Sequence, residues 1–218
     1  GETAMPEIIE TTVYLLHELS DGAKDKARSW YREVGFDFDW YDAVYDDFER
    51  ICAILGVTLA TRMVRLLGGG VRPKPCIWLS GFWSQGDGAC FEGHYRHAKG
   101  ARTQIRAYAP KDAELHRIAD CLDAAQRRNF YQLQATLTHR GRYYHEHCMT
   151  ISVERDSPTG QDMSRDAEDI VIEAMRDLAR WLYQQLEREY DDQTSDVSID
   201  DAICANAYTF TEEGRRFG

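Results

Sequence analysis

From Val57 to Gly86 the chain contains no aspartate and no glutamate, although the whole protein carries a formal charge of −11. Other absences narrow the field. No apolar run approaches the roughly 18 residues that a membrane helix needs, and no charged-then-apolar leader opens the sequence, so a cytoplasmic protein is expected. The six cysteines include no C-x-x-C pair, which removes the usual zinc spacing and suits buried thiols in a reducing compartment. Gly-x-Ser-x-Gly, His-Glu-x-x-His and EF-hand patterns are missing. The triple glycine 68–70 lacks the Gly-Lys-Ser/Thr ending of a phosphate loop, and Gly86-Asp87-Gly88 does not fit a dinucleotide loop.

The charge that is present is uneven. Residues 51–142 hold 14 Lys/Arg against 6 Asp/Glu, and six of the seven histidines fall between His94 and His147. A basic centre between acidic ends suggests a surface that faces an anion, unless the two parts neutralise each other in the fold. At 218 residues one domain is expected, running 5–218, with residues 1–4 a remnant ahead of Met5.

Local patterns set the elements. A first strand is expected over 7–16, then a helix capped by Ser20 and stopped at Gly35, and a second helix capped by Asp39 and running to about Leu55. Asp39, Asp42, Asp46 and Glu49 share a face of that helix, either as solvated surface or as a mimic of nucleic-acid phosphates. Val57 to Leu67 reads as one strand. Residues 77–83 and 89–95 read as a hairpin across the five-residue turn Ser84–Gly88. Helices follow at 102–109 and 112–128. A second hairpin, 130–139 with 143–153, turns at Arg140-Gly141-Arg142 and places Leu137 opposite His145. The longest helix runs 164–190, and a short one closes the chain. The fold class is therefore α+β: an antiparallel sheet built on two central hairpins, with helices packed mainly on one face.

Chemistry is sought where the two hairpins converge. Glu92, His94 and Arg96 alternate onto one strand face, His145 and His147 onto another, and Asp87 sits in the turn between them. A carboxylate beside imidazoles suits general acid–base work. The same region also suits binding: Arg96, Arg102, Arg106 and Arg142 for phosphate, and Trp83 with other aromatics for stacking. The candidate ligand-binding set is Trp83, Ser84, Gln85, Asp87, Glu92, His94, Arg96, Arg142, His145 and His147, with no catalytic residue, metal or cofactor assigned.

The run Leu-Ser-Gly-Phe-Trp-Ser-Gln-Gly-Asp-Gly-Ala-Cys-Phe-Glu-Gly (79–93) is distinctive. With Tyr-Leu-Leu-His-Glu-Leu-Ser (14–20) and Tyr-Thr-Phe-Thr-Glu-Glu-Gly (208–214), it resembles an uncharacterised family of phage and prophage proteins often labelled as antitoxins of toxin–antitoxin stability systems. The resemblance implies an intracellular protein of a mobile element, acting in a bacterial host cell and neutralising a host factor by binding. The expected partner is a bacterial effector protein or a small nucleotide or RNA ligand. Duplex DNA is disfavoured by the net acidity, no membrane is involved, and a homo-oligomer is allowed. The alternatives are a small hydrolase or nuclease using the Glu/His cluster, and an acidic nucleic-acid mimic.

Overall fold

The computed structural model describes residues 10–35 and 39–218; the expected strand residues 7–9 lie outside them. Residues 10–16 form no strand there, only a single bridge from Tyr14 to Phe210. Ser20 accepts the Ala23 N–H and opens α1 (Asp21–Trp30), which passes into a wider turn, Tyr31–Gly35. The next helix, α2 (Asp42–Leu55), has Tyr41 rather than Asp39 at its N-cap, two residues later than expected, and stops at Gly56, whose φ of +88° suits glycine.

Beyond Gly56 come six short strands: β1 (Val57–Leu59), β2 (Thr61–Arg65), β3 (Val71–Pro75), β4 (Ile77–Leu79), β5 (Ala89–Phe91) and β6 (Gly93–Arg96). Two helices follow, α3 (Ala101–Tyr108) and α4 (Ala113–Arg128), the latter capped by the Asp112 carboxylate on Leu115 N–H at 2.9 Å. Strands β7 (Leu133–His139) and β8 (Met149–Arg155) lead to α5 (Ala167–Gln193), α6 (Asp196–Ala205), β9 (Thr209–Phe210) and β10 (Arg216–Phe217).

The chain divides into two compact units, one of Gly1–Trp40 with Glu189–Gly218 and one of Tyr41–Arg188. In the first, Leu16, Ala27, Tyr31, Ile199, Ile203 and Phe210 are buried together. Arg28 there grips the Asp200 carboxylate through two nitrogens, at 2.8 and 2.7 Å. No linker composition marks this division, because the unit is assembled from the two ends of the chain.

The second unit is the expected α+β fold. Its main sheet is antiparallel throughout, in the order β1-β6-β7-β8. Alternation sorts its residues. Val57, Tyr95, Leu133, Ala135, Leu137, Ile151 and Val153 are buried on one face, whereas Thr58, His94, Arg96, Thr136 and Ser152 are exposed on the other. Helices cover the buried face. Phe48 of α2 lies 5.2 Å from the Phe91 ring and 6.4 Å from Trp181 of α5. The Trp181 indole donates to Asp112 at 2.8 Å, so the carboxylate that caps α4 also anchors α5.

The buried Gln126 amide on α4 ties that layer to the sheet. It donates to the Leu133 carbonyl (2.7 Å) and the Tyr95 hydroxyl (3.2 Å), and accepts the Leu133 N–H (3.1 Å). Burial pushes the Tyr95 phenol up to about 12, so it stays protonated.

The strand expected over 57–67 is two strands that part at Ala60, where three segments meet. Ala60 N–H donates to Glu92 O (2.9 Å), Glu92 N–H to Cys76 O (2.9 Å), and Cys76 N–H to Ala60 O (2.7 Å). On one side of this closed ring β1 pairs with β6, on the second β2 pairs with β3, and on the third β4 pairs with β5. The ring needs close backbone approach beside it: a Cβ on Gly93 would lie 2.3 Å from the Thr58 carbonyl oxygen. Gly93→Ala is expected to cost about 3 kcal/mol or more by overpacking backbone against backbone. Gly22→Ala, in open space on α1, should instead stabilise by about 0.5–1 kcal/mol. Denaturant midpoints of the two variants read both outcomes.

Candidate functional site

The central hairpin forms, but it is shorter than expected. Ile77–Leu79 pairs with Ala89–Phe91, leaving a nine-residue loop, Ser80 to Gly88. The second hairpin differs more. Its register sets Leu137 opposite Ile151 and His139 opposite Met149, so residues 140–148 form another nine-residue loop. His145 and His147 are therefore not on a sheet face. His145 caps a 3₁₀ turn, Glu146–Cys148, and its Nδ1 accepts the His147 N–H at 3.2 Å.

The two loops dock on each other. A Cβ on Gly88 would meet His145 Cβ at 2.6 Å and Cα at 2.8 Å, and one on Gly86 would meet the Tyr143 ring at 3.2 Å. Trp83, Ser84, Gln85 and Asp87 are thereby brought beside the loop that carries Arg142, His145 and His147. His94 and Arg96 are not in this cluster: they lie farther along β6 on the open sheet face, with His94 beside Thr136.

Several of these groups are already committed. Asp87 accepts the Ser84 N–H at 2.8 Å and donates its own N–H to the Ser84 carbonyl, which makes it a turn former. Glu92 accepts the His139 N–H at 2.8 Å and so pins the end of β7 to the three-way junction. His145 Nε2 faces the Cys148 sulfur at 3.2 Å. Because Nδ1 is an acceptor, the neutral ring carries its proton on Nε2 and donates it to sulfur, so it does not serve as a base toward that thiol in this geometry. Cys90 nearby is buried, which pushes its thiol up to about 12. Among the described residues, no three His, Cys, Asp or Glu side chains gather closely enough to hold a metal ion.

The cations sort into two classes. Eleven arginines lie between Val57 and Arg142. Arg102, Arg106, Arg117, Arg127 and Arg128 are ion-paired to carboxylates. Arg102 and Arg106 share Asp120, at 2.6 and 2.7 Å. Arg106 foremost holds the Asp120 carboxyl below its usual range. These two arginines, expected to serve phosphate, are neutralised. The other six, Arg62, Arg65, Arg72, Arg96, Arg140 and Arg142, make no ion pair with a described residue.

Three of those six are on the ribbon β2–β3. Arg62 stands opposite Lys74 and Val64 opposite Arg72 on one face; Met63 faces Pro73 and Arg65 faces Val71 on the other. Like charges directly opposite each other destabilise a strand pair, and no acid in the ribbon offsets them. At its foot Arg62 lies 5.9 Å from the Trp78 ring and Lys74 5.2 Å from the Tyr41 ring. Trp78 is stacked with Tyr144 at 6.2 Å and an interplanar angle of 6°, and His139 lies 5.6 Å from Trp78 and 5.0 Å from Tyr144. Trp83 is 74% exposed and has a φ of +70°. The foot of a cationic ribbon thus meets the Trp78 ring of β4, which is stacked with Tyr144 of the second loop. Arg72, Lys74, His139 and Tyr144 are absent from the sequence-based set; the acid-free run 57–86 is the signal that could have found the ribbon.

Residues 40–196, well over half of the chain, match the model of a domain of unknown function, DUF8835. The chain belongs to that family. No curated protein and no solved structure matches it. The matched span holds the ribbon, both loops and the open sheet face. No described helix is long and apolar enough to cross a membrane.

The packing separates the roles of two neighbouring loop residues. Asp87→Asn keeps a side-chain acceptor for Ser84 N–H and is expected to shift stability by about 1 kcal/mol or less. Gly88→Ala drives a methyl group into His145 and is expected to cost about 1–3 kcal/mol. Chemical denaturation of both variants, with near-UV dichroism of Trp78 and Tyr144, checks that the second also loosens the loop contact.

Proposed function

We propose that this protein binds rather than turns over its ligand, and that the ligand is single-stranded and phosphate-bearing, RNA or a nucleotide-containing segment. One observation carries the reading: the ribbon sets Arg62 opposite Lys74 beside Arg72, with no acid between Val57 and Gly86. An anion laid along that face relieves the repulsion and meets guanidinium groups with no ion pairs of their own. The Trp78–Tyr144–His139 stack and the exposed Trp83 supply π-faces for unpaired bases, the combination that holds single strands without sequence readout. Duplex DNA fits less well, because the rest of the protein is acidic.

The hydrolase reading needs Glu92, His94, His145 and His147 to converge. Glu92 is bonded to the β7 backbone, His94 stands on the open sheet face, and the other two belong to a loop turn, so the arrangement favours binding. Asp42, Asp46 and Glu49 are exposed on α2, as a solvated helix face requires, and no further observation favours phosphate mimicry. The resemblance to phage and prophage proteins supports the setting we propose: a mobile-element protein that neutralises a bacterial host factor by sequestering its ligand.

Fluorescence anisotropy of a labelled 12-nucleotide RNA tests the reading. Binding is expected to weaken steeply with salt, with a log–log slope near −0.7 per phosphate contacted. Arg62→Gln with Arg72→Gln and Lys74→Gln should reduce that slope by about two. RNA recovered intact after denaturation agrees with sequestration; absence of binding at low salt, or cleavage of the RNA, overturns it.

A further inference from the structure

At the end of β6, remote in sequence from the ribbon, Arg96 and His97 line a cleft of about 270 Å³ with Tyr131, Gln132, Gln134 and Asp156. Its aromatic wall is held in an unusual way. Phe130 and Tyr131, just past the end of α4, have φ of +55° and +61°, a region that glycine or asparagine normally occupies. Tyr131 is fixed there by its N–H, which donates to the Gln126 carbonyl at 2.7 Å. Gln126 is itself locked by Tyr95 and Leu133. The Tyr131 ring nevertheless stays 47% exposed, with the His97 ring 4.5 Å away.

The polar groups of the cleft divide cleanly. Gln132 accepts from Arg155 (2.9 Å) and Gln134 donates to Glu154 (2.7 Å). Both are therefore occupied. Arg96 makes no ion pair or side-chain hydrogen bond with a described residue, and the Asp156 carboxylate makes none either. One rigid π-face, one uncommitted guanidinium and one uncommitted carboxylate converge on a space of single-nucleotide size.

We propose that this cleft is a binding site for a nucleoside monophosphate. Its base stacks on Tyr131 and His97, its phosphate accepts from Arg96, and its sugar hydroxyls or base amino group donate to Asp156. The left-handed backbone at Tyr131 is retained because it presents the ring to the ligand already oriented, which lowers the ordering cost of binding. The site shares no residue with the ribbon and does not rest on the ribbon's being an RNA surface.

Thermal denaturation and calorimetric titration of the full chain with AMP, GMP, CMP and UMP, each beside its nucleoside, test the site. At least one monophosphate is expected to raise the melting midpoint. Tyr131→Asn, which tolerates a positive φ, should melt no lower than the parent without ligand and should lose the ligand-induced rise. Arg96→Gln, at an exposed side chain without a partner, should weaken the monophosphate about tenfold and leave the nucleoside unchanged. The triple ribbon variant should keep the full response. No response to any monophosphate at millimolar concentration, or an unchanged response in Tyr131→Asn, overturns the site. So does a loss in Arg96→Gln that is equal for nucleotide and nucleoside. A response lost in the ribbon variant but kept in Tyr131→Asn moves the nucleotide to the ribbon and likewise overturns it.

Discussion

Three backbone hydrogen bonds, closed into a ring by Ala60, Cys76 and Glu92, decide where everything else in the larger unit goes. Each of the three strand segments keeps one neighbour on one side of the ring and takes another beyond it. A buried peptide group left unpaired costs roughly what a lost hydrogen bond costs, so these exchanges must occur together at one point. The consequence is threefold: β1 and β6 are committed to the main sheet, β2 and β3 leave it as a ribbon, and β4 and β5 carry the first nine-residue loop. Glu92 belongs to the ring through its backbone and reaches the end of β7 through its carboxylate. A residue whose type suggested acid–base chemistry is thus the tie between the junction and the second hairpin.

Much of this layout was legible in the sequence, and the reasons for the rest are physical. Helix ends marked by caps and glycines are seen within a few residues, as at Ser20, Gly56 and Asp112, because capping is a local interaction. The antiparallel pairing of 77–79 with 89–91 is local too. The junction is not: nothing near Ala60 announces that its partners are Cys76 and Glu92, so 57–67 reads as one strand. The second hairpin fails for a related reason. Arg140-Gly141-Arg142 has the composition of a short turn, and the residues after it have strand propensity. Docking against Gly86 and Gly88 draws residues 140–148 into a loop instead, which shifts the register and removes His145 and His147 from the sheet. Loop contacts of this kind are tertiary, and period and propensity carry no record of them.

The charge distribution shows the same limit from another side. A count of +8 over residues 51–142 does not say which cations are available. Five arginines on α3 and α4 are ion-paired, several of them to acids of their own helical layer. Exposed pairs of that sort add little stability, but they do cancel the field of the groups concerned. The arginines left without carboxylates are all on strands or on the second loop. The surface that can meet an anion is therefore narrower than the sequence count implies, and three of its six arginines stand on the ribbon that the junction sets apart from the main sheet.

Three exposed aromatic residues stand in left-handed backbone. Trp83, Phe130 and Tyr131 all have positive φ, and Trp83 and Phe130 are more than two-thirds exposed. A non-glycine residue in this region costs about 1–3 kcal/mol, and an exposed ring recovers little of that through burial. Glycine or asparagine at Phe130 or Tyr131 would relieve the strain and leave the buried core intact. Core burial therefore does not account for the exposed Phe130 and Tyr131 rings. Tyr131 walls the cleft at the end of β6 together with Arg96, whereas Phe130 lies 5.4 Å from the guanidinium of Arg155, which is bonded to Gln132, Asp162 and Gln161.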